Sequence, residues 1–215
     1  MGKHFRKGMV VLSGLFVLLV PAVASASSQP TLNQTVNAGT LSTNILQSDD
    51  VTPVASPSVA FPAKNVGFSC QTSAATLGDT NNKLNVTNLA SNNGWTLTMA
   101  ATGGFTANWD DGASNTYKFN DATASGCTNG QMSVDPSVST LTADCSSACT
   151  NTNITKGSAT SFNHALSADN VTLMTSSSGT PWAGYLTGVG LSQKIPASQH
   201  AGNYSLGMTI TITAN

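Results

Sequence analysis

Beyond residue 26 the chain has no arginine and no glutamate, and charged side chains make up only 8% of the whole sequence. Five lysines against nine aspartates leave that part with a formal charge of −4. Nucleic acid is not an expected partner, because binding it needs a basic face rich in Lys and Arg. Without Glu, a two-carboxylate glycosidase arrangement would have to be built from Asp alone. Neither a Gly-x-Ser-x-Gly elbow nor a His-Glu-x-x-His run is present. His164 and His200 stand in no motif that ties them to a nucleophile or a metal, so both are expected at the surface. No enzyme activity and no cofactor are expected. Also missing is any sustained i, i+3, i+4 apolar stripe after the first residues, so long helices are not expected.

One long apolar run does occur. Met9 to Val23 follows Lys3, Arg6 and Lys7 and ends in the small-residue exit Ala24-Ser25-Ala26. This pattern reads as a secretory signal peptide over residues 1–26, cleaved before Ser27. The run is shorter than the ~20 residues of a spanning helix, and no Cys follows it. Neither a membrane span in the mature chain nor a lipid anchor is therefore expected. No Leu-Pro-x-Thr-Gly signal or C-terminal hydrophobic tail follows the last strand, so the expected location is secreted or at a bacterial cell surface, held by contacts. What remains suits one domain, read as a flexible segment over residues 27–34 and a β-domain over 35–215.

The remainder is Ser, Thr, Asn, Ala and Gly with β-branched residues spread through it, a composition for strands and turns. Its organising stretch is Gly94 to Met99, with Trp95, Leu97 and Met99 on one face and Thr96, Thr98 and Ala100 on the other, the period of a half-buried strand. Thr35 to Leu46 reads as a first strand and Gly67 to Cys70 as a short one. Asp49 to Pro62, with three prolines, reads as an edge segment or connection. Leu84 and Val86, followed by the Asn-rich loop to Gly94, predict a hairpin with the Trp95 strand. Short strands are expected at Asn115 to Phe119 and Gln131 to Val134, and further alternation at Val171, Leu173, Val189, Leu191 and Ile195. The last strand sets Tyr204, Leu206, Met208, Ile210 and Ile212 against Ser205, Gly207 and three threonines. Its regularity predicts a place in the sheet interior. Eight to ten short strands without helices predict an all-β, antiparallel β-sandwich.

Four cysteines in an exported chain imply two disulfides, among three connectivities that spacing cannot separate. We favour Cys145 with Cys149 as a local clip and Cys70 with Cys127 as a long staple. A zinc site would need closely paired ligands, and Cys145-x-x-x-Cys149 is the one close pair. Asp110, Asp111 and Asp121 gather hard oxygen donors that could suit calcium, although their spacing matches no known calcium loop. Trp109, Trp182 and Tyr185 are candidates for a carbohydrate-stacking platform, set against ordinary core packing.

The pairing of Leu84-Asn85-Val86 with Gly94-Trp95-Thr96-Leu97-Thr98, followed by Ile195-Pro196-Ala197 and Ala201-Gly202-Asn203-Tyr204, resembles the WxL-domain surface proteins of bacteria. Trp95 and Leu97 match the first Trp-x-Leu motif, whereas Ile210-Thr211-Ile212 stands where the second is expected. The resemblance implies non-covalent attachment to the cell wall through peptidoglycan, with wall polysaccharide or other surface proteins as partners. It makes Trp95 and Leu97, beside Trp182 and Tyr185, the expected binding residues. The alternative is a subunit of an extracellular fibre or matrix that assembles by strand addition.

Overall fold

In β4, Trp95–Ala101, the side chains of Trp95, Leu97, Met99 and Ala101 are buried while Thr96, Thr98 and Ala100 are half-buried. One face of a period-2 strand has left water and the other has not. The computed structural model describes residues 34–90, 93–122, 127–145, 149–164 and 169–215. The expected signal peptide and, apart from Gln34, the expected N-terminal segment lie outside them. Asn37–Asn215 is a compact unit by itself. No helix among the described residues is long and apolar enough to cross a membrane.

The remaining strands are β1 Leu41–Leu46, β2 Gln71–Leu77, β3 Lys83–Asn88, β5 Asn108–Asp110, β6 Thr116–Lys118, β7 Gln131–Asp135, β8 Thr140–Ala143, β9 Ile154–Lys156, β10 Thr160–Ser161, β11 Asn170–Ser176, β12 Trp182–Thr187, β13 Val189–Ile195 and β14 Met208–Ala214. All pair antiparallel. They form sheets in the orders β1-β3-β12-β8, β10-β7-β13-β2 and β14-β4-β11-β9, with β5-β6 as a separate ribbon.

The first two sheets are halves of one bent sheet. β12 and β13 are separated by Gly188 alone. β12 lies between β3 and β8, and β13 lies between β2 and β7, so the runs β2–β3, β12–β13 and β7–β8 turn the corner side by side. At the corner Gly188 has φ 75° and its N–H donates to Gly78 O at 2.8 Å. The extra residue shifts the buried positions from Trp182, Gly184 and Leu186 to Val189, Leu191 and Gln193. A glycine in a strand does this as a bulge does, so the same face stays inward on both sides of the bend.

The third sheet packs over this bent one, giving the β-sandwich that the alternation predicts. Leu84, Val86, Trp182 and Leu186 from one half, Val134 and Val189 from the other, and Trp95, Leu97, Val171, Leu173 and Met174 from the third sheet form one core. Trp95 and Trp182 meet across the layers with ring centroids 5.7 Å apart. In β11 the register shifts between Thr172 and Met174, which leaves Leu173 as well as Met174 fully buried.

Three expectations need correction. β3 and β4 are not a hairpin: β3 pairs with β1 and β12, and β4 with β11 and β14, so the two strands lie in different layers. Two strands that each bury one face satisfy the same pattern side by side or across a core, and here Val86 and Leu97 enter one core from different layers. β14 is an edge strand rather than an interior one, with β4 as its one sheet neighbour, and Met208, Ile210 and Ile212 are half-buried. Alternation reports one buried face and says nothing of neighbours on both sides. The chain at Gly67 to Cys70 is not a strand, and β2 follows it. β2 turns Gln71, Ser73, Ala75 and Leu77 inward, too small and polar a set to stand out.

Candidate functional site

Between β1 and β2 the chain runs as a strap without regular strands of its own. Pro53, Pro57 and Pro62 cannot donate to a ladder, and the strap is tied down by side chains instead. Val59 and Phe61 pack on the core, Ser73 Oγ donates to Pro62 O at 2.7 Å and Gln71 Nε2 donates to Asn65 O. Beside it stands the β5–β6 ribbon, in which Trp109 and Tyr117 are directly opposed and their rings stack at 6.1 Å. Phe61 meets Trp109 edge-on at 5.7 Å, and Tyr204 meets Tyr117 at 5.1 Å. The ribbon is fixed to the segment before β14 by paired backbone bonds between Asp110 and Ser205, at 3.0 and 2.9 Å.

The polar atoms around these rings are arranged in fixed pairs. The Trp109 indole N–H donates to Gln193 Oε1 at 2.8 Å, while Gln193 Nε2 donates to Lys194 O at 2.8 Å. The buried amide is thereby held in one orientation. Tyr204 Oη accepts from Gln199 Nε2 at 2.7 Å and donates to His200 O at 3.0 Å. Burial, with the Tyr204 phenol nearby as a lesser cause, pushes the Tyr117 phenol above its ordinary range.

The result is a cleft of about 510 Å³ lined by Phe61, Trp109, Tyr117 and Tyr204, with Gln71, Gln199, His200 and Lys64 in its walls and no carboxylate among its lining residues. On the other side of Phe61 and Trp109 a groove of about 710 Å³ runs towards β14, lined by Val59, Met99, Met132, Leu206, Met208 and Ile210.

Of the residues singled out in the sequence as binding, stacking or metal candidates, only Trp109 belongs to this cleft, although Tyr204 and His200, named there in other connections, also line it. Trp95 and Leu97 are fully buried in the core. Trp182 is buried on the inward face of β12, its indole N–H donating to Asn151 Oδ1 at 3.3 Å. Tyr185 lies on the opposite face of β12, half-buried, with Lys83 Nζ 4.7 Å from its ring centre. Trp182 and Tyr185 thus share no surface. Asp110 and Asp111 sit in the ribbon turn and accept backbone bonds: Gly112 N–H to Asp110 at 2.7 Å, and Ala113 and Asn115 N–H to Asp111 at 2.8 and 3.0 Å. The Asn115 side chain, then the Ala113 amide, holds the Asp111 carboxyl below its ordinary range. Asp121 lies shortly after β6, its N–H donating to Gly130 O at 3.1 Å. Among the described residues no three His, Cys, Asp or Glu side chains gather where a metal ion could be held. The cysteines pair as favoured, Cys70 with Cys127 and Cys145 with Cys149, with Cα atoms 5.2 and 5.8 Å apart. His164 and His200 are exposed.

Phe61, Tyr117, Gln193 and Tyr204 were not legible as site residues. One signal was there for Gln193: an amide at the inward parity of Val189 and Leu191, where an apolar residue is expected. No family model, curated protein or solved structure matches the chain.

Proposed function

We propose that the protein is a secreted bacterial cell-surface module that associates non-covalently with the cell wall, as its resemblance to WxL-domain proteins implies, and that the ring-lined cleft is where it touches wall glycan. The observation that carries this reading is the array of Phe61, Trp109, Tyr117 and Tyr204 beside side-chain amides. Sugar rings offer C–H faces to aromatic rings and hydroxyls to amides, and a cleft of this size suits a short glycan stretch. Because Trp95 and Leu97 are buried, the motif serves the reading through the fold rather than by contact. Purified mature protein should pellet with isolated cell walls, and Trp109→Ala, assayed below its melting point, should remain in the supernatant; its melt should fall as well, because the ring packs on Phe61 and Tyr117 and satisfies the buried Gln193 amide. A wild-type protein left wholly in the supernatant would sink the wall reading.

A second reading, a fibre subunit built by strand addition, is favoured by β14. It is an edge strand of seven residues with no charge and no proline, and charged residues and proline are the usual guards of such an edge. Light scattering should then rise with protein concentration. Scattering of a monomer across a wide concentration range speaks against this second reading.

A further inference from the structure

The outward face of the β14-β4-β11-β9 sheet is a grid of threonines. Register sets Thr155, Thr175, Thr96 and Thr213 side by side in one row across four strands. Thr172, Thr98 and Thr211 form the next row across three strands, and Asn170, Ala100 and Thr209 the third. Strand propensity alone does not account for this concentration, because it acts equally on every sheet. The corresponding outward rows of the other two sheets are mixed: Asn44, Asn85, Tyr185 and Thr142 in one, Ala74, Ser192, Ser133 and Ser161 in the other.

We propose that this face binds ice. Neighbouring strands lie about 4.8 Å apart and alternate residues of β4 and β14 about 6.7 Å apart; in β11 Thr172 and Thr175 are three residues apart, but the register shift keeps them opposite Thr98 and Thr96, so hydroxyl and methyl repeat in two dimensions over the first two rows. Each hydroxyl can donate one hydrogen bond and accept two, and no hydrogen bond among the described residues engages those of Thr155, Thr172, Thr175, Thr211 or Thr213. A single small molecule is held by a concave site, whereas a repeating outward face matches a solid with a repeat of its own. Fixing a liquid water at a protein surface costs about 0–2 kcal/mol of entropy, a penalty that accumulates over a row of hydroxyls. Water already fixed in a crystal surface carries no such penalty, which selects ice over liquid. No ring projects among the ten grid positions, so crystalline polysaccharide, which would be held by stacking on aromatics, is the poorer match. No ionised group stands in the grid to hold a hydration shell of its own.

The test is slow freezing of a solution of the mature protein around an ice seed, read as protein captured in the ice, with the gap between melting and freezing points of a single crystal as a second readout. Wild type should concentrate in the ice and open a gap. Thr98→Lys and Thr211→Lys should each lose capture to the level of an inert protein while keeping the wild-type melt, and Thr142→Lys, on another sheet, should behave as wild type. Wild type left in the liquid with no gap overturns the proposal. So does undiminished capture of both folded grid variants, or a protein that pellets with crystalline cellulose or chitin and not with ice. Because cell-wall pelleting is a separate assay with a separate variant, failure of one reading is distinguishable from failure of the other.

Discussion

Two side chains show how local surroundings set the response to pH. Burial favours the neutral form of Tyr117 in the folded state. Its contribution to stability is therefore complete below the unfolded value of about 10 and is lost as pH rises from there towards the higher folded value. Asp111 has the opposite sign, because its hydrogen bonds favour the charged form. Its contribution is present above the unfolded value of about 4 and fades as pH falls through the lower folded one. Urea midpoints taken from pH 7 to 11 should fall on the alkaline side in the wild type and less steeply in Tyr117→Phe. Equal slopes would mean that the Tyr117 phenol is not the group responsible. Neither environment was readable in advance, because a Tyr in a three-residue strand gives no sign of the strap and the loop that close over it.

At the scale of elements, the corner between the halves of the bent sheet depends on two glycines for different reasons. Gly188 has φ 75° and open space where a Cβ would go, so Gly188→Ala should cost about 1–2 kcal/mol, from conformation alone. Gly78 has φ 86° and a Cβ there would lie 3.1 Å from Leu186 O and 3.2 Å from Thr187 Cα. Gly78→Ala should therefore be the more destabilising of the two, and chemical denaturation of both variants checks the order. The strands themselves were largely legible: alternation places β3, β4, β11, β13 and β14, because each buries one face of apolar side chains. Their partners were not. Nothing in the run from Asn85 to Met99 separates a hairpin from a crossing between layers, and a Gly between two alternating runs does not announce that it turns a sheet.

Over the whole molecule, only β5 and β6 among the described strands are both consecutive and hydrogen-bonded to each other. Such non-local pairing predicts folding in milliseconds to seconds rather than microseconds, measurable by refolding from denaturant with the disulfides intact. The Cys70–Cys127 bond closes a separation of 57 residues and Cys145–Cys149 one of 4. Removing the first should cost about 4 kcal/mol and the second about 2, by the chain entropy each withholds from the unfolded state. The candidate cleft belongs to this scale, assembled from a strap, a ribbon and the approach to β14 that lie far apart in the chain, which is why Trp109 alone of its rings was named in the sequence as a binding candidate. Trp95 is fully buried in the core and meets Trp182 across the layers, so the measurement that bears most directly on this account is equilibrium unfolding of Trp95→Ala beside the wild type. Loss of a fully buried ring should cost about 3–5 kcal/mol, a large part of the ~5–15 kcal/mol that stabilises a domain. An unfolding curve that superimposes on the wild type would contradict it and would place Trp95 at the surface.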